Sequence, residues 1–183
     1  MKKPPPISLA QKIYWGERPP FFDLIPIQDT IETEKYKFEI IPTPGHAVDM
    51  AVLFEPQKRW LFVADLYVSY YINYFVKSEM MAAQIESIKK VLSYDWDFMF
   101  CSHNLNIQCG RNELESKLQF LEEFYEKVAN LFHQGFNDRQ IFSNLKLKED
   151  WTIKLVSGGN LSKLNMVKSV IRDERRKGKQ SIS

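Results

Sequence analysis

The chain has 183 residues, 44% of them hydrophobic and 14% aromatic, which is apolar mass for one core and excludes a disordered or fibrous polypeptide. Its 25 basic and 23 acidic residues leave a formal charge of +2, so no global field draws it to nucleic acid or to an acidic membrane. The longest apolar stretch, Trp60 to Val76, is interrupted by Asp65 and Asn73 and falls short of the ~20 residues a membrane span needs.

Met1 to about Thr30 is rich in proline (Pro4, Pro5, Pro6, Pro19, Pro20, Pro26), with scattered aromatics and no sustained period. Residues 1–34 therefore read as an irregular, extended segment. No charged, apolar and small-residue order of a secretory leader opens the chain, and Cys101 and Cys109 are its only cysteines. A reducing cytoplasm and no disulfide are expected.

Tyr36, Phe38 and Ile40 alternate with Lys37 and Glu39, the period of a half-buried strand, which Thr43-Pro44-Gly45 stops. Met50 to Phe54 and Trp60 to Ala64 are short apolar runs joined by the polar Glu55-Pro56-Gln57-Lys58-Arg59, a spacing that predicts a hairpin. Ile85, Ile88 and Leu92 recur at intervals of three and four and predict a helix over Met80 to Leu92. Asp97 to Cys101 reads as a fourth, buried strand.

Beyond Gly110 the pattern turns helical. Leu114, Leu118, Leu121, Tyr125, Val128 and Phe132 mark one face of a long helix ending near Gly135. Asn137 is placed to cap a second helix carrying Ile141 and Leu145, and Asn160 or Ser162 a third carrying Leu164, Val167 and Ile171. The basic cluster Arg172, Arg175, Arg176, Lys177 and Lys179 reads as the frayed, solvated end of that helix. Interleaved with Asp173 and Glu174 and lacking stacking aromatics, it argues against nucleic-acid binding. The fold class is α/β (α+β), with a mixed strand and helix unit at 35–110 and a helical part at 111–183. There is no internal repeat, no G-x-G-x-x-G or Walker loop, and no Ser, His and Asp arrangement above chance.

The chemistry-bearing residues stand at strand ends. His46 follows the first strand through Thr43-Pro44-Gly45, Asp65 comes directly after Trp60 to Ala64, and His103 follows Asp97 to Cys101 with only Ser102 between. Side chains at matching ends of sheet strands converge on a rigid edge while the loops beyond stay open to a substrate. Two imidazoles and a carboxylate form a ligand set for zinc or iron. The third histidine, His133, falls in the last turn of the long helix, where it suits free carbonyls and is read as structural. Tyr67, Tyr70, Tyr71, Tyr74 and Phe75 are assigned to the core in preference to a substrate pocket. Cys101 and Ser102 are given no nucleophilic role, since no second histidine stands by as base.

Thr43-Pro44-Gly45-His46, Leu61-Phe62-Val63-Ala64-Asp65 and Phe100-Cys101-Ser102-His103 resemble, in order and spacing, the third, fourth and fifth motifs of metallo-β-lactamase-fold hydrolases. Two stretches depart from that pattern: Ala47-Val48-Asp49 stands where the family has a glycine-containing turn, and Ala64-Asp65 where it has Gly-Asp. The resemblance implies that residues 35–110 form the C-terminal half of an αββα sandwich, followed by a helical extension at 111–183. It also implies two metal ions, zinc or iron, with His46 on the first, Asp65 bridging and His103 on the second. The implied reaction is hydrolysis of an ester, thioester, phosphoester or related bond of a small molecule by a metal-bound hydroxide.

The family's remaining ligands come from a His-x-His-x-Asp-His motif, and residues 1–45 contain no histidine. Two ligands per ion is fewer than the three that a catalytic zinc normally has. The resulting expectation is a truncated hydrolase, inactive or nearly so alone, with Met1 not the ancestral start. The alternative is a non-catalytic remnant acting as an interaction or regulatory module. Either way one sheet face lacks its mate, so a homo-oligomer or a separately encoded N-terminal half is the expected partner.

Overall fold

The computed structural model describes residue 26, residues 28–103 and residues 110–180, which leaves most of the proline-rich segment and Cys109 outside the described residues. Its strands are β1 (Thr30–Glu32), β2 (Lys37–Pro42), β3 (Ala51–Glu55), β4 (Trp60–Phe62), β5 (Phe75–Val76), β6 (Phe98–Phe100) and β7 (Leu161–Ser162). The main sheet runs β1-β2-β3-β4-β6; the first four strands are antiparallel neighbours and β6 joins β4 in parallel. A separate antiparallel pair is made by β5 and β7.

Register explains how a two-residue period makes one face core. Ile41 lies opposite Val52, Phe54 opposite Leu61, and Leu61 opposite Met99, and all five are nearly free of solvent. The other face lines up Ile40, Leu53, Phe62 and Phe100 in one rung. There Phe62 stacks on Phe100 with ring centroids 4.7 Å apart, and Phe38 and Trp60 meet this pair edge-on. Phe98 and Phe100 stay 45% and 43% exposed. The Asp97 to Cys101 run is therefore buried only at Met99 and Cys101, because alternate residues of a strand face opposite sides whatever their polarity. The expectation of an irregular segment through residue 34 is corrected at its end, where Thr30–Glu32 pairs with β2 as an edge strand.

The helices are α1 (Met81–Leu92), α2 (Arg111–His133), α3 (Asp138–Asn144), α4 (Trp151–Val156) and α5 (Lys163–Gln180). Met81, Ile88 and Val91 of α1, Leu114 and Leu121 of α2, and Met166 and Val170 of α5 share one buried cluster with Val52, Leu61 and Met99. The free N–H groups that open α1 are met from α5: Met81 donates to the Ser169 hydroxyl at 2.9 Å and Ala82 to the Asp173 carboxylate at 3.1 Å. Arg172 donates to the carbonyls of Lys77 and Glu79 at 2.8 and 2.7 Å. The basic end of α5 is thus partly anchored, not frayed and solvated along its length. His133 pairs with Glu174 at 2.7 Å and so ties α2 to α5 through a carboxylate in place of helix carbonyls. Among the described residues no helix is long and apolar enough to cross a membrane.

Two local findings bear on the sequence reading. Asn137 caps α3 in a complete capping box with Gln140, and Asn137→Ala is expected to lower stability by about 1 kcal/mol in urea unfolding, a midpoint unchanged by the substitution refuting the assignment. On α2 the fully buried set is Leu114, Lys117, Leu121, Phe124 and Val128, with Leu118, Tyr125 and Phe132 only half-buried. The core face is rotated toward a lysine.

Candidate metal centre

Three turns present the strand-end residues. After β2 the chain passes through Gly45 at φ +145°, whose carbonyl accepts from Met80 N at 2.8 Å at the start of α1. The Pro44 carbonyl accepts from the Ser87 hydroxyl at 2.8 Å, so the segment ahead of His46 is pinned to α1 at two points. After β4, Ala64 takes φ +44° and opens a single 3-10 turn, Ala64–Leu66, that carries Asp65. A left-handed alanine is strained, whereas glycine takes this conformation without that penalty. After β6, the buried Cys101 thiol donates to the Tyr67 carbonyl, at 2.8 Å, and receives the His103 N–H. Its role here is structural.

His46, Asp65 and His103 meet at one end of the sheet. His103 Nε2 lies 2.7 Å from Asp65 Oδ1, and His46 Nε2 lies 3.8 Å from Asp65 Oδ2, so each imidazole addresses its own carboxylate oxygen. All three side chains are partly open to solvent. Nitrogen and oxygen donors of this kind suit zinc or iron, and three of them match the protein ligands of one catalytic zinc. As they stand, no group of three or more His, Cys, Asp or Glu side chains among the described residues is set to hold an ion: His103 is bonded to Asp65, and His46 faces Glu79. The fit is one of donor type.

Glu79, which sequence reasoning missed, completes the setting of His46. Its Oε2 lies 3.3 Å from His46 Nδ1 and accepts from Gln84 Nε2 at 2.7 Å, while Oε1 accepts from Val76 N at 2.7 Å. A carboxylate on one imidazole nitrogen fixes the ring and directs the other nitrogen outward, here toward Asp65. The bond to Glu79 draws the His46 imidazole above its ordinary value against the opposing effect of burial. Nothing local marks this glutamate in the sequence, since an acid just ahead of a helix reads as a dipole partner.

Beside the three residues opens a cavity of about 310 Å³, lined among others by His46, Asp65, Glu79, Lys117, Tyr71 and Phe75. Tyr67 and Phe75 are core residues, as expected, but Tyr70, Tyr71 and Tyr74 are 55%, 44% and 36% exposed, and the last two line this cavity. The aromatic run after Asp65 is therefore split between core and cavity wall.

The chain carries part of a metallo-β-lactamase fold followed by helices. It resembles a metallo-beta-lactamase family protein from Thermus thermophilus at 17% identity and a TM-score of 0.56, over 69% of this chain and 44% of that one. It also resembles the stereoselective inverting sec-alkylsulfatase Pisa1 from Pseudomonas sp. at 16% identity and a TM-score of 0.58, over 75% of this chain and 24% of that one. The chain thus spans less than half the length of either, and at these identities the likeness is one of fold. No family model matches the sequence, and no curated protein matches it either.

Proposed function

We propose that this chain is the C-terminal part of a metal-dependent hydrolase site, holding a divalent ion, zinc or iron, through His46, Asp65 and His103. The observation that carries this reading is the placement of one imidazole on each oxygen of Asp65 at the open end of the sheet. An ion held there supplies Lewis acidity for hydrolysis of a small-molecule ester, thioester, phosphoester or related bond. His46 is oriented by Glu79, and Asp65 sets the distance between the two histidines. With three donors in place and two of them bonded directly to each other, the ion is held weakly, and the chain alone is inactive or nearly so. A separately encoded N-terminal half or a second copy of the chain supplies the remaining ligands and covers the Phe62 and Phe100 face of the sheet.

Elemental analysis of the purified chain after zinc loading and dialysis tests this. The expected result is less than one retained ion per chain and none above background in Asp65→Ala. One or more tightly held ions, lost in His46→Ala and His103→Ala, would show that an oligomer of this chain already completes the site. Equal metal in the wild type and in Asp65→Ala would end the metal reading.

A second reading is favoured by the sheet itself. The half-exposed rung of Ile40, Leu53, Phe62 and Phe100 is an apolar surface of the kind that serves as an interface, so a non-catalytic interaction module would use this face and leave the histidines idle.

A further inference from the structure

Lys117 has no part in the reading above, and its surroundings call for one. It is 2% exposed and lies on the buried face of α2 between Leu114 and Leu121, both free of solvent. Its Nζ donates one hydrogen bond, to the Leu66 carbonyl at 2.6 Å. An ammonium has three donors, so two N–H groups are left without a partner among the described residues, on a side chain that lines the cavity beside His46 and Asp65. The carboxylates of the same wall are already engaged. Glu79 accepts from Val76 N and Gln84 and faces His46, and Asp65 faces both histidines. Buried donors without acceptors are strongly unfavourable, and an oxygen entering the cavity would satisfy them.

We propose that the Lys117 ammonium binds an oxyanion of the cavity's ligand, a carboxylate, sulfate or phosphate group, while Ile72, Tyr74 and Phe75 hold an apolar or aromatic body attached to it. Apolar surface dominates this wall, and the cavity is of a size that takes a small molecule. Burial pushes the Lys117 amine down to about 8, with Glu79, Cys101 and Asp65 pulling the other way, so the group is still largely charged at neutral pH. As a statement about substrate this rests on the hydrolase reading; as a statement about binding it needs no metal.

The test uses the full chain in a chelating buffer, so that no anion is held by a metal ion. Benzoate, phenyl sulfate and phenyl phosphate are the probes, benzyl alcohol is the neutral control, and binding is followed by NMR shifts of cavity residues. The aromatic anions are expected to bind and the alcohol not to. Lys117→Met is expected to weaken binding on the order of 10- to 100-fold while the chain stays folded. Lys163→Met removes the ammonium that sits on the ring and hydroxyl of Tyr71 and is expected to change binding by about twofold or less. Binding that survives Lys117→Met, is absent from the wild type, or follows Lys163 instead overturns the proposal. Anion binding without metal retention would leave it standing while the hydrolase reading falls, and metal retention without anion binding would do the reverse.

Discussion

Gly45→Ala is expected to lower stability by about 3–5 kcal/mol and to dislodge His46. A Cβ built on Gly45 would lie 2.4 Å from Gln84 Cγ, 2.6 Å from Gln84 N and 2.8 Å from Gln84 Cα. The side-chain atom could move, but the other two are backbone of α1, so relief requires the Thr43 to His46 turn and the helix to separate. Separation would also lengthen the Met80 N to Gly45 O bond and the Ser87 to Pro44 bond that hold the turn. A positive φ of 145° adds its own penalty for alanine. Gly135→Ala separates the two contributions, because Gly135 has φ +90° with nothing within 4 Å of a Cβ, and the loss there is expected to be about 1 kcal/mol. Urea unfolding of both variants, with the His46 ring resonances as a local reporter, checks the pair. Equal losses would show that backbone strain, not collision with α1, sets the requirement for glycine ahead of the histidine.

The residues that sequence located at this site share one property: each ends a strand whose period is visible. Tyr36, Phe38 and Ile40 alternate, Thr43-Pro44-Gly45 stops the run, and the next side chain is His46. Asp65 and His103 follow β4 and β6 in the same manner. Their meeting at one edge follows from strand order, which a hairpin and a parallel neighbour impose. Glu79 and Lys117 were not legible, for different reasons. Glu79 reaches His46 only because the turn at Gly45 docks on the start of α1, a tertiary contact without local signature. Lys117 was hidden by polarity: a helix phased on its leucines and aromatics places Leu118 and Tyr125 inward, whereas packing against α1 and α5 puts Lys117 and Phe124 there. The short elements β1, β5, β7 and α4, of two to six residues each, are too brief to display a period and owe their conformation to their neighbours. Tyr71 and Tyr74 repeat the lesson in reverse, since their composition suggests core and their exposure follows from standing beside a cavity.

Replacing the buried Lys117 by methionine is expected to make the chain more stable at pH 7, by about 1–2 kcal/mol. Burial lowers the amine from 10.5 to about 8, and at about 1.4 kcal/mol per unit that is a penalty of about 3 kcal/mol for keeping the charge inside. Methionine removes the charge and fills similar volume, but leaves the Leu66 carbonyl without its donor, which gives back about 1–2 kcal/mol. The pH dependence follows from proton counting. Between pH about 8 and about 10.5 the unfolded chain holds the Lys117 proton and the folded chain has released it, so the contribution of this group to wild-type stability rises with pH across that window. Below about 8 the penalty is full and constant. The advantage of methionine is therefore greatest at neutral pH, shrinks as pH climbs, and by about 10.5 gives way to the cost of the unpaired carbonyl. Unfolding both proteins in urea at matched pH cancels the tyrosines and other groups that titrate in both. A variant less stable than wild type at pH 7, or a difference that does not move with pH, would mean that the fold accommodates the ammonium on its own terms. The expected outcome instead makes Lys117 a residue that weakens the fold, and a buried charge held at that expense beside His46 and Asp65 is what a binding site for an anion requires.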